Sequence, residues 1–490
     1  MFEEITIKEY HQRLLAGDVT CQQLVEWYLH RIEEIDQGDD GLNAVLTINQ
    51  EARSQAIEAD RILPNLKGDL PQLFGVPILV KDQCKTAGLR TTFGSIAFAS
   101  HVPETDATVL RQILAAGAIL LGKTTMCDLA AGWFSSSSMS GHTSTPYDTS
   151  RDSGGSSAGS GAAVSANLCM VAVGEDTGGS IRIPASFNNC YGLRVTTGLI
   201  PRSGFSPLVH FQDTPGPMAR TLPDLLRLLD VMVAYDEEDE FTAINACRLD
   251  SSPYTYESLP QPESQWRIGV LSNAFGSNDD PECAAVNGIV RHAISMAQQD
   301  GVEVIDDLAI EGLDEWIGKT SVYTKVSPSD ITKFLEAEEN SPVASFGEIY
   351  RDKKFHREND LFDEIAGAPS DPDADPEYLR GRLAQEEFRR VVLKIFAEFE
   401  IDCLVYPSVK VLSPTHADLA LGKYTCLTFP TNTVIASQAA LPALSAPVGF
   451  TSDGLPVGLE IVGRPLDEKR VLALGKYFEG LVPSRKAPAI

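Results

Sequence analysis

The sequence lacks the cysteine and histidine spacings that build disulfide frameworks and metal sites. Its nine cysteines are scattered, odd in number and without a C-x-x-C pair, which argues against a disulfide framework and a structural zinc site. The eight histidines show no H-x-H or H-E-x-x-H spacing, so metal catalysis has no support in the sequence. We therefore expect no metal, and a reducing, cytoplasmic compartment.

Basic residues and long apolar runs are also scarce. Forty lysines and arginines stand against 68 acidic residues, giving a formal net charge of −28. A field of that sign repels nucleic acid and anionic membrane surfaces. No apolar run is long enough to span a bilayer, and the opening MFEEITIKEY lacks the plan of a secretory signal. We expect neither nucleic acid nor a membrane as a partner.

The chain does contain many short apolar runs, bounded by glycine and separated by helix-length segments. This texture predicts buried strands with helical crossovers, and one α/β architecture from end to end. Capping-box spacings at Thr6–Glu9 and Thr20–Gln23 predict an amphipathic helical pair, within an N-terminal helical layer over about residues 1–65. The predicted strands are 73–80, 117–122, 168–174, 266–272, 401–407 and 441–450, and the predicted helices are 109–118, 160–168 and 377–400.

Two short motifs match patterns of other enzyme classes. Residues 117–124, GAILLGKT, fit the phosphate-binding loop pattern, but their apolar centre favours a buried strand, so we do not expect nucleotide binding. Residues 155–159 satisfy G-x-S-x-G, the nucleophile elbow of α/β-hydrolases. An esterase of that type would use Ser157 as nucleophile and a downstream histidine, for which His416 in PTHAD is best placed. This is the alternative interpretation.

A second group of candidate catalytic residues includes the segment 174–184, GEDTGGSIRIP. Consecutive glycines before Ser180 allow a sharp turn whose backbone N–H groups point one way, as an oxyanion hole requires. Lys81 ends an apolar strand, and desolvation there would lower its pKa and let it act as a neutral base. A lysine–serine pair activates a serine without any histidine. The small residues of 151–164, RDSGGSSAGSGAAV, supply further hydroxyls.

Together these segments resemble the amidase signature family. The resemblance rests on GVP followed by Lys81-Asp82, on GGSSAGSGAAV and on GEDTGGSIRIPASF, with Ser156 and Ser180 at the family's spacing. It extends to LNAVL, GAILLGKTTM, IDCLVYPS and LPALSAPVGFTSDGLPVGLEIVGRP, and so covers nearly the whole chain. The fold it implies is a single large α/β domain, residues 1–490, in which a central mixed β-sheet is flanked by α-helices.

The resemblance also implies roles for individual residues. Ser180 would be the nucleophile, Ser156, on a cis peptide bond, the proton relay, and Lys81 the base. The backbone N–H groups of the oxyanion hole would come from Thr177, Gly178, Gly179 and Ser180. The residues that hold the loops together would be Ser157, Asp176 and Arg182. The substrate-side backbone contact would be at Gly132. The chain departs from the family pattern at Ala158, where a glycine is usual, and at VTTG (195–198), which leaves Arg194 as the nearest cation.

The reaction implied is cleavage of an amide carbon–nitrogen bond through an acyl-enzyme on Ser180, without a cofactor. The family includes hydrolases of amides, carbamates and ureas, and one component of a tRNA-dependent amidotransferase; the net charge argues against the tRNA role. We expect a free-standing amidohydrolase acting on a small-molecule amide, carbamate or urea, and allow for a homodimer. Residues 305–400 are the expected specificity region. A catalytically silent subunit on the same fold is a further alternative.

Overall fold

The central element of the fold is a mixed β-sheet of eleven strands. The structure is a computed structural model, and it describes residues 2–38, 41–66, 70–260, 266–338 and 340–490. The strand order is β1-β3-β2-β6-β8-β7-β12-β13-β11-β9-β10, and β4 pairs with β5 in a separate ribbon. The strands are β1 (Val45–Ile48), β2 (Pro77–Lys81), β3 (Ile119–Thr124), β4 (Ser144–Thr145), β5 (Asp148–Asp152), β6 (Val171–Asp176), β7 (Tyr191–Arg194), β8 (Thr214–Ala219), β9 (Arg267–Leu271), β10 (Glu303–Leu308), β11 (Cys403–Pro407), β12 (Ala443–Phe450) and β13 (Pro456–Val462).

Helices flank this sheet and connect its strands, so that the chain forms one α/β domain as the family resemblance implies. They are α1 (Ile7–Ala16), α2 (Cys21–Arg31), α3 (Ala52–Ile62), α4 (Thr108–Ala115), α5 (Ala158–Ser165), α6 (Arg182–Phe187), α7 (Leu222–Met232), α8 (Pro281–Gln299), α9 (Leu313–Thr320), α10 (Tyr323–Ala337), α11 (Phe346–Arg351), α12 (Leu361–Ile365), α13 (Pro376–Phe399), α14 (His416–Ala420), α15 (Thr433–Gln438) and α16 (Glu468–Leu481). In the part of the chain that the structure describes, no helix is both long and apolar enough to cross a membrane.

The strands and helices predicted from apolar runs are confirmed, with shifts of a few residues at their ends. The GAILLGKT segment forms β3, whose six residues are all buried, as its apolar centre predicts. In the N-terminal layer, Thr6 caps α1 and Thr20 makes both hydrogen bonds of a capping box at α2. That layer also contains β1, an edge strand that was not predicted; residues 1 and 39–40 of the layer lie outside the described residues.

The order of β2 and β6 in the sheet positions the site. These two strands are parallel neighbours, with Val80 paired to Val173, so their carboxyl ends meet at one edge of the sheet. Lys81 ends β2, and Glu175 and Asp176 end β6. Helix α5, rich in glycine and alanine and fully buried, packs against both strands and brings the residues before it to the same edge.

Candidate active site

Lys81 is completely buried (0 % exposed). Its Nζ donates to the Ser156 hydroxyl at 2.8 Å and to the Glu175 carbonyl at 3.2 Å, and lies 3.5 Å from the Glu175 carboxylate. Burial lowers the pKa of Lys81, an effect that the Glu175 charge partly offsets. The desolvation predicted for this lysine is therefore confirmed. The adjacent acid in the sequence, Asp82, lies instead 3.9 Å from Lys123.

Ser156 is held beside Lys81 by close backbone packing. The peptide bond that joins Gly155 to Ser156 is cis, as the family resemblance implies. The Gly155 N–H donates to the Trp133 carbonyl at 2.7 Å. A Cβ on Gly155 would lie 2.1 Å from the Phe134 carbonyl oxygen, so a residue with a side chain does not fit there. The glycines before Ser156 thus allow two backbone segments to touch, and the segment is not a linker.

The neighbouring Ser157 has a different environment. Its hydroxyl donates to the Glu175 carbonyl at 3.1 Å and accepts from the Glu175 N–H at 3.2 Å, which ties the start of α5 to the end of β6. His416, the histidine of the alternative interpretation, lies with its Nε2 3.1 Å from the Ser144 hydroxyl. The structure therefore gives Ser157 two backbone contacts and places His416 in a different cluster.

Gly178, Gly179 and Ser180 form the turn between β6 and α6. A Cβ on Gly178 would lie 2.3 Å from the Tyr323 hydroxyl and 2.4 Å from the Trp133 ring, and Gly179 has a φ of +151°. Both positions therefore require glycine. Among the described residues, the backbone N–H groups of these three residues have no protein acceptor. They are available to bind an oxygen that becomes negatively charged.

A buried network of charged side chains holds this turn in place. The Asp176 carboxylate accepts from Arg182 at 3.0 and 3.1 Å, from Arg194 at 3.0 Å and from the Ile181 N–H at 3.1 Å. Arg182 also bonds to Glu460. Burial alone would raise the pKa of Asp176, but the two guanidinium groups outweigh it and bring the pKa to about 2. Since every charge has a partner, the network positions the turn while leaving little unpaired charge.

A second network links the turn to α10. The Thr177 hydroxyl donates to Asp213 at 2.6 Å, while the Gln212 amide donates to the Thr177 carbonyl at 2.7 Å and contacts the Tyr323 hydroxyl at 3.1 Å. Burial and the nearby Glu175 charge raise the pKa of Asp213 well above its ordinary value. These contacts join segments far apart in the sequence, and no spacing in the chain predicts them.

Ser180 opens onto a cavity of about 360 Å³. Ser180 itself is only 2 % exposed, so the cavity is its access to a substrate. Within the described chain, no lysine, arginine, aspartate or glutamate lines this cavity. Its lining residues are Ala130, Gly132, Trp133, Thr177, Ser180, Leu208, Ile317, Gly318, Ser321, Tyr323, Thr324, Leu361, Cys426, Leu427, Phe429, Thr431, Val434 and Gln438.

The structure brings the site residues that the family resemblance implies to this edge of the sheet, whereas His416 lies elsewhere. Gly132 lines the cavity with Ser180, as expected for a substrate-side contact. The Ala158 methyl group is accommodated at the buried start of α5, and Arg194, the expected nearest cation, bonds to Asp176. Sequence reasoning missed Glu175, although a carboxylate at the end of an apolar strand is a signal for a buried ion pair. It also missed the aromatic lining residues.

Comparison with known proteins agrees with this geometry. The sequence model of the family described as Amidase matches residues 23–472. The chain belongs to the amidase signature family. It is therefore an enzyme of a class that acts on amide carbon–nitrogen bonds. The α/β-hydrolase alternative is wrong, because the match to the amidase family covers residues 23–472.

Two groups of relatives differ in what they do. The chain is 34 % identical over 501 aligned residues to one component of the glutamyl-tRNA(Gln) amidotransferase of Prochlorococcus marinus (strain MIT 9303), covering 97 % of each chain. The corresponding component in Deinococcus deserti is 30 % identical, with coverage of 98 % and 97 %. Among solved structures, the peptide amidase of Stenotrophomonas maltophilia is 28 % identical, with a TM-score of 0.85 over 99 % of both chains. Family membership thus leaves the substrate open.

Proposed function

We propose that the protein is a free-standing amidohydrolase that cleaves the carbon–nitrogen bond of a small, uncharged amide, carbamate or urea. The proposal is supported by the combination of a cavity without charged lining residues, onto which Ser180 opens, with a buried Lys81–Ser156 hydrogen bond. The segment that holds Ser156 lies next to Ser180, because the Ser157 N–H donates to the Ser180 carbonyl at 3.1 Å. A cytoplasmic location and a homodimer stay predictions.

In the proposed reaction, Ser180 Oγ attacks the substrate carbonyl carbon while its proton passes to Ser156, whose own proton passes to neutral Lys81 Nζ. The negative charge on the carbonyl oxygen is stabilised by the N–H groups from Thr177 to Ser180. The carbon–nitrogen bond then breaks, and the leaving nitrogen takes a proton back through Ser156. Water then attacks the carbonyl carbon of the resulting ester, and its proton passes through Ser156 to Lys81. The ester bond breaks, Ser180 Oγ takes a proton back through Ser156, and the acid is released.

The composition of the cavity distinguishes this proposal from the glutaminase role of an amidotransferase component. Free glutamine carries a carboxylate and an ammonium group, and burying either without a partner is costly. A lining of tryptophan, tyrosine, leucine and phenylalanine with a few hydroxyls and one amide instead suits a neutral substrate with an apolar body. The net charge of −28 further disfavours tRNA. The sequence similarity to the amidotransferase components is what favours the second role.

Residues 305–400 are proposed to determine the substrate range. One side of the cavity comes from this segment, through α9, α10 and α12. Tyr323 is central here because its hydroxyl contacts Gln212 while its ring lies 6.3 Å from that of Trp133. The segment therefore connects the substrate-facing wall to the turn that carries Ser180.

The substrate proposal is tested by turnover of a panel of neutral aryl and alkyl amides, carbamates and ureas, measured beside free L-glutamine and L-asparagine. We expect hydrolysis of at least one neutral class and no detectable ammonia from either amino acid. Ammonia release from L-glutamine with all neutral compounds inert would favour the amidotransferase role. Sedimentation of the purified chain in the same buffer reports whether it is a monomer or a homodimer under the conditions of the turnover assay.

The two adjacent serines are expected to respond differently to removal of their hydroxyls. Ser156→Ala breaks the proposed relay, and such relays typically contribute about 10²–10⁴-fold in rate. Ser157→Ala leaves the relay intact but removes two backbone contacts, which costs about 1–3 kcal/mol of stability. Steady-state kcat, measured for both variants beside an unfolding midpoint that shows both to be folded, should therefore separate them: Ser156→Ala is slow, and Ser157→Ala keeps most of its activity. Full activity of Ser156→Ala would contradict the relay.

A further inference from the structure

Three of the eight histidines meet in one cluster, although no two of them form a metal-binding spacing in the sequence. His142 lies between two groups, one with His416 and Asp152 and the other with His356 and Glu358, and within each group the nearest ligand atoms lie within 4.8 Å of one another. The residues come from the loop before β4, the end of β5, the loop after α11 and the start of α14. None of the five lines the Ser180 cavity.

The hydrogen bonds around His416 leave a nitrogen lone pair facing a carboxylate. Ser144 Oγ donates to the Thr149 carbonyl at 3.0 Å, so it accepts from His416 Nε2 at 3.1 Å. The proton of the neutral ring is therefore on Nε2, and Nδ1 carries the lone pair. His416 Nδ1 is buried and has no hydrogen-bond partner among the described residues, and it lies 3.9 Å from Asp152 Oδ2. A cation bound between these two acceptors would satisfy both of them.

His142 likewise has one ring nitrogen beside a serine hydroxyl and the other beside a carboxylate. Its Nδ1 lies 3.4 Å from the Ser136 hydroxyl, which itself donates to Glu358 at 3.1 Å. His142 Nε2 in turn lies 3.4 Å from Glu358 Oε2. In a tetrahedral zinc site with bonds of about 2.0–2.1 Å, neighbouring ligand atoms are about 3.3–3.4 Å apart. The cluster therefore already has the donor types, and in part the spacing, of such a site.

Asp152 is held in the orientation that a ligand needs. It is completely buried (0 % exposed) and accepts from the Ser135 N–H at 3.1 Å and the Gly154 N–H at 2.7 Å. Hydrogen bonds of this kind orient a coordinating carboxylate. They also join the cluster to the segment that leads into Ser156.

We propose that the cluster binds one divalent transition-metal ion of the zinc class, with His142, His416 and Asp152 as ligands and with Glu358 and His356 within reach to complete the coordination. Imidazole and carboxylate together suit zinc and its first-row neighbours. The ion cross-links the loop before β4, the end of β5 and α14, and it has no part in the chemistry at Ser180. The site is thus a structural metal site independent of the proposed reaction.

The test uses untagged full-length protein, dialysed against a chelator and then titrated with Zn²⁺ by calorimetry. We expect one Zn²⁺ per chain, a higher unfolding midpoint in its presence, and a visible absorption spectrum when Co²⁺ is used instead. His142→Asn and His416→Asn each remove a direct ligand and are expected to weaken Zn²⁺ binding at least as much as the loss of an outer-shell partner does, which is about 10–100-fold. The matched control is His292→Asn, an exposed histidine on α8, which should bind Zn²⁺ like the unaltered chain.

Three results would overturn the proposal: no stoichiometric binding to the unaltered chain, equal binding by all three variants, or a Co²⁺ spectrum that survives in His416→Asn. If His142→Asn does not fold, Asp152→Asn and His416→Asn are compared with the same control, and their unchanged affinity overturns the proposal equally. All of these readouts are independent of turnover, so a failed substrate screen leaves them valid.

Discussion

Ser180→Ala is expected to abolish turnover, with a loss of roughly 10⁴- to 10⁶-fold in kcat. The hydroxyl is the proposed acyl acceptor, and the turn that carries it is specified by Gly178 and Gly179, which the variant leaves unchanged. A serine-directed fluorophosphonate should label the unaltered protein once, with the adduct on Ser180 by peptide mass mapping. The same reagent should leave Ser180→Ala unlabelled.

The matched control for this variant is Ser321→Ala. Ser321 lines the same cavity but lies between α9 and α10, away from the turn that carries Ser180. The control variant should still be labelled by the fluorophosphonate on Ser180, because its nucleophile is unchanged. An adduct on Cys426, which also lines the cavity, or on Ser157 would contradict the assignment of the nucleophile. Failure of the unaltered protein to label at all would instead favour the catalytically silent alternative.

Lys81→Met and Lys81→Arg are both expected to lose at least about 10²–10⁴-fold in kcat, the contribution of a general base. Methionine removes the base while filling a similar volume, and arginine keeps a charge that cannot be neutralised at working pH. The methionine variant should remain folded, since it places an apolar side chain in a buried position, and circular dichroism checks this. Activity of Lys81→Arg near that of the unaltered enzyme would rule out a neutral lysine as base.

The pH dependence of the unaltered enzyme follows from the same residue. Burial lowers the pKa of Lys81, and the active form is the neutral amine, so kcat/KM should rise with pH as Lys81 loses its proton. The Glu175 carboxylate opposes this shift. Glu175→Gln removes that charge and should move the rising limb of the pH profile to lower pH. A shift to higher pH would show that Glu175 does not act on Lys81 through its charge.

Local sequence was sufficient for the strands and for the catalytic segments. Lys81 follows an uninterrupted apolar run, so its burial at the end of β2 could be predicted from the run itself. The glycines before Ser156 and Ser180 mark turns in which backbone approaches backbone, and this requirement acts over a few residues. Spacing alone did not decide whether Ser157 or Ser180 is the nucleophile. The family resemblance indicated Ser180, and it also related the two serine segments to Lys81.

The sequence by itself thus determined an α/β chain with a lysine at one strand end and glycine-bound serines at two turns, because strand burial and turn formation depend on neighbouring residues. Only the tertiary structure decided that Glu175 is the partner of Lys81, that Trp133 and Tyr323 close a cavity without charge, and that His142 meets His416 and Asp152. These contacts join strands and loops far apart in the chain. Their distances are set by how β2, β6 and the surrounding helices pack, and no periodicity along the sequence records that packing.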